Sequence, residues 1–498
     1  MATSANAQAL NDILDSLGFI IPEIVLVAGL IIILITGLFR SFKNSRAILL
    51  GLSVCTVIIS LGFTVYDLAT FNTPATLFLG SLRTDDYSLY FRLLIDFAGL
   101  LTFLLSVQSL ELKDNKYLSE YCVLILAILL GSHLLVMTSN FILLFISLEL
   151  ISLPSYVLTG FGSRKNAIEG SLKYFLFGSV ATAIMVYGFS LLYGLSGSLD
   201  YSSVEFIKIL HQGGTLILVA GLLALAGFLY KVASAPLHLW APDVYEASPM
   251  PVVALFSVAP KLAGVAALSK FSLALNMFGQ SSIDWQLILG IVIILSLTIG
   301  NFAALWQSNP KRMMAYSSIA QSGFLLVGIC TFTLSGYQFT LFYATVYLMA
   351  NFAVFALLQS FSRSNVDTIP AFAGSGKSDP YNGATLLIAL ISLAGIPPTA
   401  GFMGKLFVFS GVWDVFAESG KVILLTILIV GLLNTVVSIF YYLKIPYHSF
   451  FKPGNEEKSR QIFGIENLLA FILVIGLLIL FIKPDFLMGW LNRVNFVL

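Results

Sequence analysis

Four ionisable side chains stand inside long apolar runs. Glu149 lies in FILLFISLELISLPSYVL and Lys261 in VVALFSVAPKLAGVAAL, Lys231 closes a seventeen-residue apolar stretch, and Lys405 follows a Pro-Pro pair by seven residues. An ionised group at the centre of a bilayer costs about 2.5–3.5 kcal/mol on insertion scales, so such residues mark proton or ion paths by default. A buried lysine can exchange its proton, because desolvation favours the neutral amine and a nearby carboxylate favours the ammonium. The blander readings are a hydrogen-bonded packing carboxylate for Glu149 and an interfacial lysine for Lys231.

Prolines accompany all four. Pro154 follows Glu149 by five residues, Pro236 follows Lys231 by five, Pro260 directly precedes Lys261, and Pro397-Pro398 precede Lys405. A helix proline frees the carbonyl four residues earlier, which here means Leu150, Val232, Leu393 and Ala394. Freed carbonyls at membrane depth are tolerated only against protein or water. Charge beside helix break, repeated four times, predicts a hydrated polar axis at mid-membrane depth.

Other membrane charges are weaker candidates. Lys173 is four residues after Glu169 and close to Arg164 and Lys165, which suits a helix-end pair as well as a relay. Arg92 and Asp96 share that spacing and are expected to neutralise each other, and Lys270 is placed to snorkel from an outer helix end. His133 and His238 could carry protons near neutral pH, although a lone helix histidine is more often a hydrogen-bonded structural residue.

The elements that must position these groups are membrane helices. The chain has 498 residues, 58% hydrophobic and 10% charged, which excludes a soluble multidomain protein. Its net charge of +1 gives no sign of a nucleic-acid partner. Apolar blocks long enough to cross run at about 19–39, 47–69, 87–110, 118–138, 140–161, 167–195, 214–235, 250–276, 285–306, 312–333, 338–361, 383–412, 420–446 and 463–486. That is fourteen spans. Loops after odd-numbered spans carry fifteen Lys and Arg residues against five elsewhere outside the spans, which places both termini on the non-cytoplasmic side of the cell membrane. The first seventeen residues contain no Lys or Arg, so the first apolar helix is expected to act as an uncleaved insertion signal.

Spans seven and twelve, both proline-interrupted, are five spans apart, and an odd separation reverses their direction. The expected architecture is an all-α integral membrane protein with discontinuous helices 7 and 12 and two inverted five-helix repeats. The expected boundaries are 1–117 for helices 1–3, 118–276 and 277–448 for the repeats, and 449–498 for a loop, helix 14 and the tail.

No redox or nucleotide site is legible. Cys55, Cys122 and Cys330 are isolated in apolar runs, which excludes a disulfide framework and a zinc or iron–sulfur site built from this chain alone. The segment Gly374-Ser375-Gly376-Lys377-Ser378 looks like the end of a phosphate-binding loop, but Ala371 stands where the first glycine belongs and no strand precedes it.

The stretches KVASAPLHLWAPDVYEASPMPVVALFSVAPKLAG (231–264), SLELISLPSYVL (147–158) and GIPPTAGFMGKLFVF (395–409) closely resemble the antiporter-like membrane subunits of respiratory complex I, NADH-quinone oxidoreductase. The likeness covers about residues 20–486 and is greatest to the N type, since no long lateral helix follows span fourteen and Lys405 stands where another type has Glu. The resemblance implies a subunit that translocates protons in the inner (cytoplasmic) membrane. It implies a Glu149/Lys231 pair, a central Lys261 and an exit-side Lys405, with Lys173 and His238 tied to the same axis. NADH, FMN, iron–sulfur clusters and quinone are then bound by other subunits, and the partners are other membrane-arm subunits and lipids. The alternative is a subunit of a multisubunit Na⁺/H⁺ antiporter of related fold.

Overall fold

A computed structural model describes residues 10–39, 45–70, 74–112, 117–161, 166–276, 283–363, 366–454, 464–494 and 496. Arg40, Lys43, Lys113, Lys116, Arg164, Lys165, Lys458 and Arg460, part of the charge bias that orients the chain, lie outside the described residues.

The long helices are α1 (Ile21–Leu38), α2 (Arg46–Thr70), α3 (Asp86–Ser106), α4 (Leu118–Met137), α5 (Phe141–Thr159), α6 (Asn166–Ser196), α7 (Thr215–Val232) and α8 (Met250–Asn276). They continue as α9 (Trp285–Leu305), α10 (Pro310–Ile329), α11 (Leu334–Ser362), α12 (Pro380–Ala394), α13 (Ala400–Ser419), α14 (Val422–Tyr442) and α15 (Ile465–Ile482). Thirteen of them, all but α10 and α12, are long and apolar enough to cross a membrane. The chain is a multi-pass membrane protein. Helix α12 is too short alone, and with α13 it forms the two halves of the expected twelfth span.

Helix α10 fails on polarity. It carries Lys311, Arg312, Ser317, Ser318, Gln321 and Ser322, yet every residue except Arg312 and Tyr316 is buried. A helix surrounded by protein can hold polar groups that a lipid-facing one could not, provided each finds a partner. Helix α8 is equally enclosed, packing on α3, α4, α5, α7, α10 and α11. The outer helices instead expose apolar side chains such as Ile31, Ile32, Ile58 and Ile59, as a surface in contact with acyl chains requires.

Helix starts follow local chemistry. Asn140 and Asn309 accept from the first free backbone N–H groups of α5 and α10, and Asp85 closes a capping box with Ser88 on α3. A two-stranded hairpin, Ala75–Leu77 with Leu82–Thr84, is the one non-helical addition to the all-α expectation among the described residues. Gly374–Ser378 forms a left-handed glycine and one short helical turn, with no phosphate-loop geometry around it.

Both expected discontinuities are present, with matching geometry. Helix α7 ends at Ala233 and α12 at Gly395, each in the left-handed region, and each break contains a cis X–Pro bond at the same offset. The other two proline sites do not break. Pro154 and Pro260 lie inside continuous helices, correcting the expectation of interruptions there. Beside them, Ser155 Oγ donates to the Ile151 carbonyl at 2.6 Å and Tyr347 donates to the Ser257 carbonyl at 2.8 Å, each one residue past the carbonyl that the proline frees.

Candidate functional site

Lys231 occupies the last turn of α7, where the helix dipole favours a cation. Its ammonium donates to Ser152 Oγ of α5 at 3.0 Å. Glu149, half-buried one turn earlier on α5, acts on Lys231 through space and does not form an ion pair with it. Across from this pair, Gly264 of α8 admits the Lys231 stem: a Cβ there would lie 3.5 Å from it and 3.0 Å from Val232.

Lys261, 1% exposed, points to α10. It donates to Ser318 Oγ at 2.9 Å and the Ser318 carbonyl at 3.1 Å, with Ser322 Oγ at 3.4 Å. Ser322 in turn donates to the Val232 carbonyl at 2.6 Å, the group freed by Pro236. Lys405, 3% exposed, donates to the freed Ala394 carbonyl at 2.8 Å and lies 4.1 Å from the centre of the Phe324 ring. The other freed carbonyl, Leu393, accepts from Gln321 Nε2 at 3.0 Å. Three carbonyls exposed by proline chemistry are thus filled by Ser322, Gln321 and Lys405.

Helix α10 therefore joins the two breaks. Its Ser318 and Ser322 face Lys261 and the first break, while Gln321 faces the second. Gln321 also donates to the Tyr442 hydroxyl at 3.0 Å and accepts from Tyr343. Sequence reasoning missed these residues because a serine in an apolar helix is unremarkable. The available signal was the cluster SSIAQS (317–322), which makes α10 too polar for a lipid-facing span.

Gln321→Leu would leave the buried Leu393 carbonyl and the Tyr343 hydroxyl without a partner, each costing about 1–3 kcal/mol, while Tyr442 keeps Ser317. Thermal unfolding of the detergent-purified chain should show a clear loss of stability. A midpoint equal to wild type would mean that Gln321 clasps nothing of consequence.

The accessory candidates divide. His238 is buried in the first break, within the field of Lys261, and its Nδ1 has no hydrogen-bond partner. Lys173 is not drawn into the lysine row. It pairs with Glu169 at 2.8 Å and Asp243 at 3.0 Å, and Asp243 also holds Arg312 at 2.7 Å. This network lies at the first turn of α10, near a cavity of about 210 Å³ lined by Glu111, Lys311, Arg363 and Asp367.

Two expectations are corrected. Lys270 does not snorkel: it is 3% exposed and lies 3.7 Å from Asp85. Arg92 does not neutralise Asp96. It pairs with Glu23 of α1 at 2.9 Å, while Asp96 faces His133 and Ser60, because partners on neighbouring helices lie closer than the next turn of the same one.

Comparison with known proteins places the chain in a family. Residues 138–432 match the family described as NADH:quinone oxidoreductase/Mrp antiporter, transmembrane. NADH-quinone oxidoreductase subunit N 2 of Chloroherpeton thalassium is 37% identical over 470 residues, 91% of this chain and 90% of that one. The chloroplastic NAD(P)H-quinone oxidoreductase subunit 2 of Mesostigma viride is 40% identical over 442 residues, 87% and 86% of the two chains. Among solved structures, a chain of respiratory complex I from Thermus thermophilus with bound aureothin superposes with a TM-score of 0.78 at 29% identity, covering 95% of this chain and 100% of that one. The chain belongs to the NADH:quinone oxidoreductase/Mrp antiporter transmembrane family, on its subunit N/subunit 2 branch.

Proposed function

We propose that this chain is the N-type proton-translocating subunit of an NADH-quinone oxidoreductase, with Glu149, Lys231, Lys261 and Lys405 as its proton carriers. One observation carries the assignment of roles. Lys231, Lys261 and Lys405 are buried, and among the described residues each is held by hydroxyls, carbonyls or a ring face, with no carboxylate at ion-pair distance. A salt bridge would lock the ammonium form, whereas neutral acceptors leave it able to release a proton.

In this reading Glu149 sets the charge of Lys231 by its distance. When the carboxylate is remote, the Lys231 proton moves toward Lys261, past the Ser322 hydroxyl that touches both the Val232 carbonyl and Lys261. From Lys261 it passes along α10, by way of Ser318, Gln321 and ordered water, to Lys405 at the second break. His238 is an accessory group on the first step. Lys173 is a positioning residue that ties α6 to Asp243.

The matching left-handed helix ends at Ala233 and Gly395 support a pair of inverted repeats, 118–276 and 277–448, following helices 1–3 in 1–117 and preceding 449–498. Both termini lie on the non-cytoplasmic side. Other membrane-arm subunits and lipid surround the chain. FMN, iron–sulfur clusters, NADH and quinone belong to those partner subunits.

The test is a pair of substitutions in the assembled complex. Glu149→Gln removes the charge and keeps the shape, and it should lower NADH-driven proton translocation roughly tenfold, equivalent to about 1.4 kcal/mol on the barrier. Glu149→Asp keeps the charge and should retain most of the activity. Equal defects at equal assembly would mean that Glu149 serves packing alone.

A further inference from the structure

Helices α1–α4 bury a second set of titratable side chains, all before residue 138, where the family match begins. Glu23, in the first turn of α1, is 3% exposed; Arg92 and Asp96 of α3 and His133 of α4 are fully buried. Glu23 divides its two oxygens: Oε2 lies 2.9 Å from Arg92 Nη2, and Oε1 lies 2.8 Å from His133 Nδ1. The opposite ring nitrogen, His133 Nε2, is 3.2 Å from Asp96 Oδ1. Ser60 Oγ at 2.9 Å and Thr64 Oγ1 at 3.3 Å, both of α2, donate to Asp96 Oδ2.

The remaining charges around the cluster are few. Asp67 of α2 is 2% exposed, feels Arg92 and Glu23, and has an Oδ2 with no hydrogen-bond partner. Nε and Nη1 of Arg92 are likewise unpartnered. On α8, packed behind α3 and α4, the lysine nearest this face is Lys270, held by Asp85.

A proton count follows from the geometry. A neutral imidazole is a donor at one nitrogen and an acceptor at the other, yet both nitrogens of His133 face carboxylate oxygens. The Nε2–Asp96 pair is a close charge contact and not an aligned hydrogen bond, so the requirement is one of charge: without a further proton, two carboxylates would oppose a single guanidinium in a buried site. One proton on His133 turns both contacts into attractions and brings Glu23, Asp96, Arg92 and His133 to zero net charge. Asp67 adds a third carboxyl, so the requirement is at least one proton.

We propose that Glu23, His133 and Asp96 form a proton-binding site, fixed by Arg92 and separate from the lysine row. The site lies in the half of the bundle nearest the N-terminal face, since Glu23 is at the start of α1 and His133 is four residues before the end of α4. Helix α4 also touches α5: a Cβ on Gly131 would lie 3.0 Å from the Ser147 carbonyl. The helix that carries His133 thus packs directly on the helix that carries Glu149. The proton resides on the imidazole, and its release leaves Arg92 paired with Glu23, and Asp96 with no cation beside it.

The experiment is nitrogen-15 magnetic resonance of the histidine-labelled full chain in lipid bilayers. The chain has four histidines, and the His133 signal is assigned by its loss in His133→Lys, which keeps the charge where a neutral residue could unfold the site. At pH 7 both ring nitrogens of His133 should carry hydrogen. Glu23→Gln and Asp96→Asn should each weaken its proton affinity by about tenfold, one unit of pH, with the His238 signal unmoved. A neutral His133 at pH 7 in the wild-type chain overturns the proposal, and that reading stands even if a variant fails to fold. An unchanged titration in both folded variants overturns it as well.

Discussion

Replacing Lys261 by Met should abolish most proton translocation while leaving the complex assembled. Lys261 reaches α10 as a donor, and its loss takes a hydrogen bond away from Ser318 and Ser322 without stranding either hydroxyl. Ser318 Oγ still donates to the Ala315 carbonyl at 2.7 Å, and Ser322 Oγ still donates to the Val232 carbonyl at 2.6 Å. Met matches the unbranched lysine stem and removes a charge whose burial is costly, so the fold should be maintained or slightly stabilised. On the proposed function, electron transfer from NADH to quinone belongs to other subunits and should persist when the membrane is uncoupled. Proton movement should fall tenfold or more, the equivalent of about 1.4 kcal/mol per decade. The measurement is dye-monitored acidification of vesicles, with assembly followed on native gels. Wild-type acidification at wild-type assembly would remove Lys261 from the path.

The four candidate side chains were legible because a charge in an apolar run is an anomaly that only a few arrangements explain. Proline chemistry went further than the charges did. It named Val232, Leu393 and Ala394 as carbonyls in need of partners, and Ser322, Gln321 and Lys405 supply them. The same rule overreached at Pro154 and Pro260, where the helices continue. A lost backbone hydrogen bond becomes a break only if the chain also leaves helical geometry, as it does at Ala233 and Gly395.

Contacts across helices were not legible. Spacing of four residues states which side chains can meet on one helix, and for Arg92 and Asp96 it gave the wrong pair, since Glu23 comes from a helix some seventy residues earlier. The role of α10 was hidden for a related reason. Its serines and Gln321 carry no charge, so the cluster at 317–322 marks a polar helix without saying that other helices enclose it or which groups it faces.

Lys405 provides the sharpest separation between a proton carrier and a fixed cation. Its two contacts, the Ala394 carbonyl at 2.8 Å and the face of Phe324 at 4.1 Å, both favour a donor or a positive charge. Gly395 leaves room for its stem, since a Cβ there would lie 2.6 Å from Lys405 Cδ. Arg at this position would keep the positive charge and the donor but, with a pKa above about 12, could not release a proton. Met would keep neither. Glu can hold a proton as the neutral acid and donate it to the same carbonyl. If Lys405 carries protons, Lys405→Glu should retain more translocation than Lys405→Met, and Lys405→Arg should be as poor as Met, roughly tenfold below wild type. If Lys405 is only a structural cation, the order reverses: Arg is best and Glu worst, because a carboxylate would face the carbonyl and the electron-rich ring. Vesicle acidification for the three variants, normalised to assembled complex, decides between the two. Arg outperforming Glu would end the carrier role of Lys405 and leave Lys261 as the last lysine of the path.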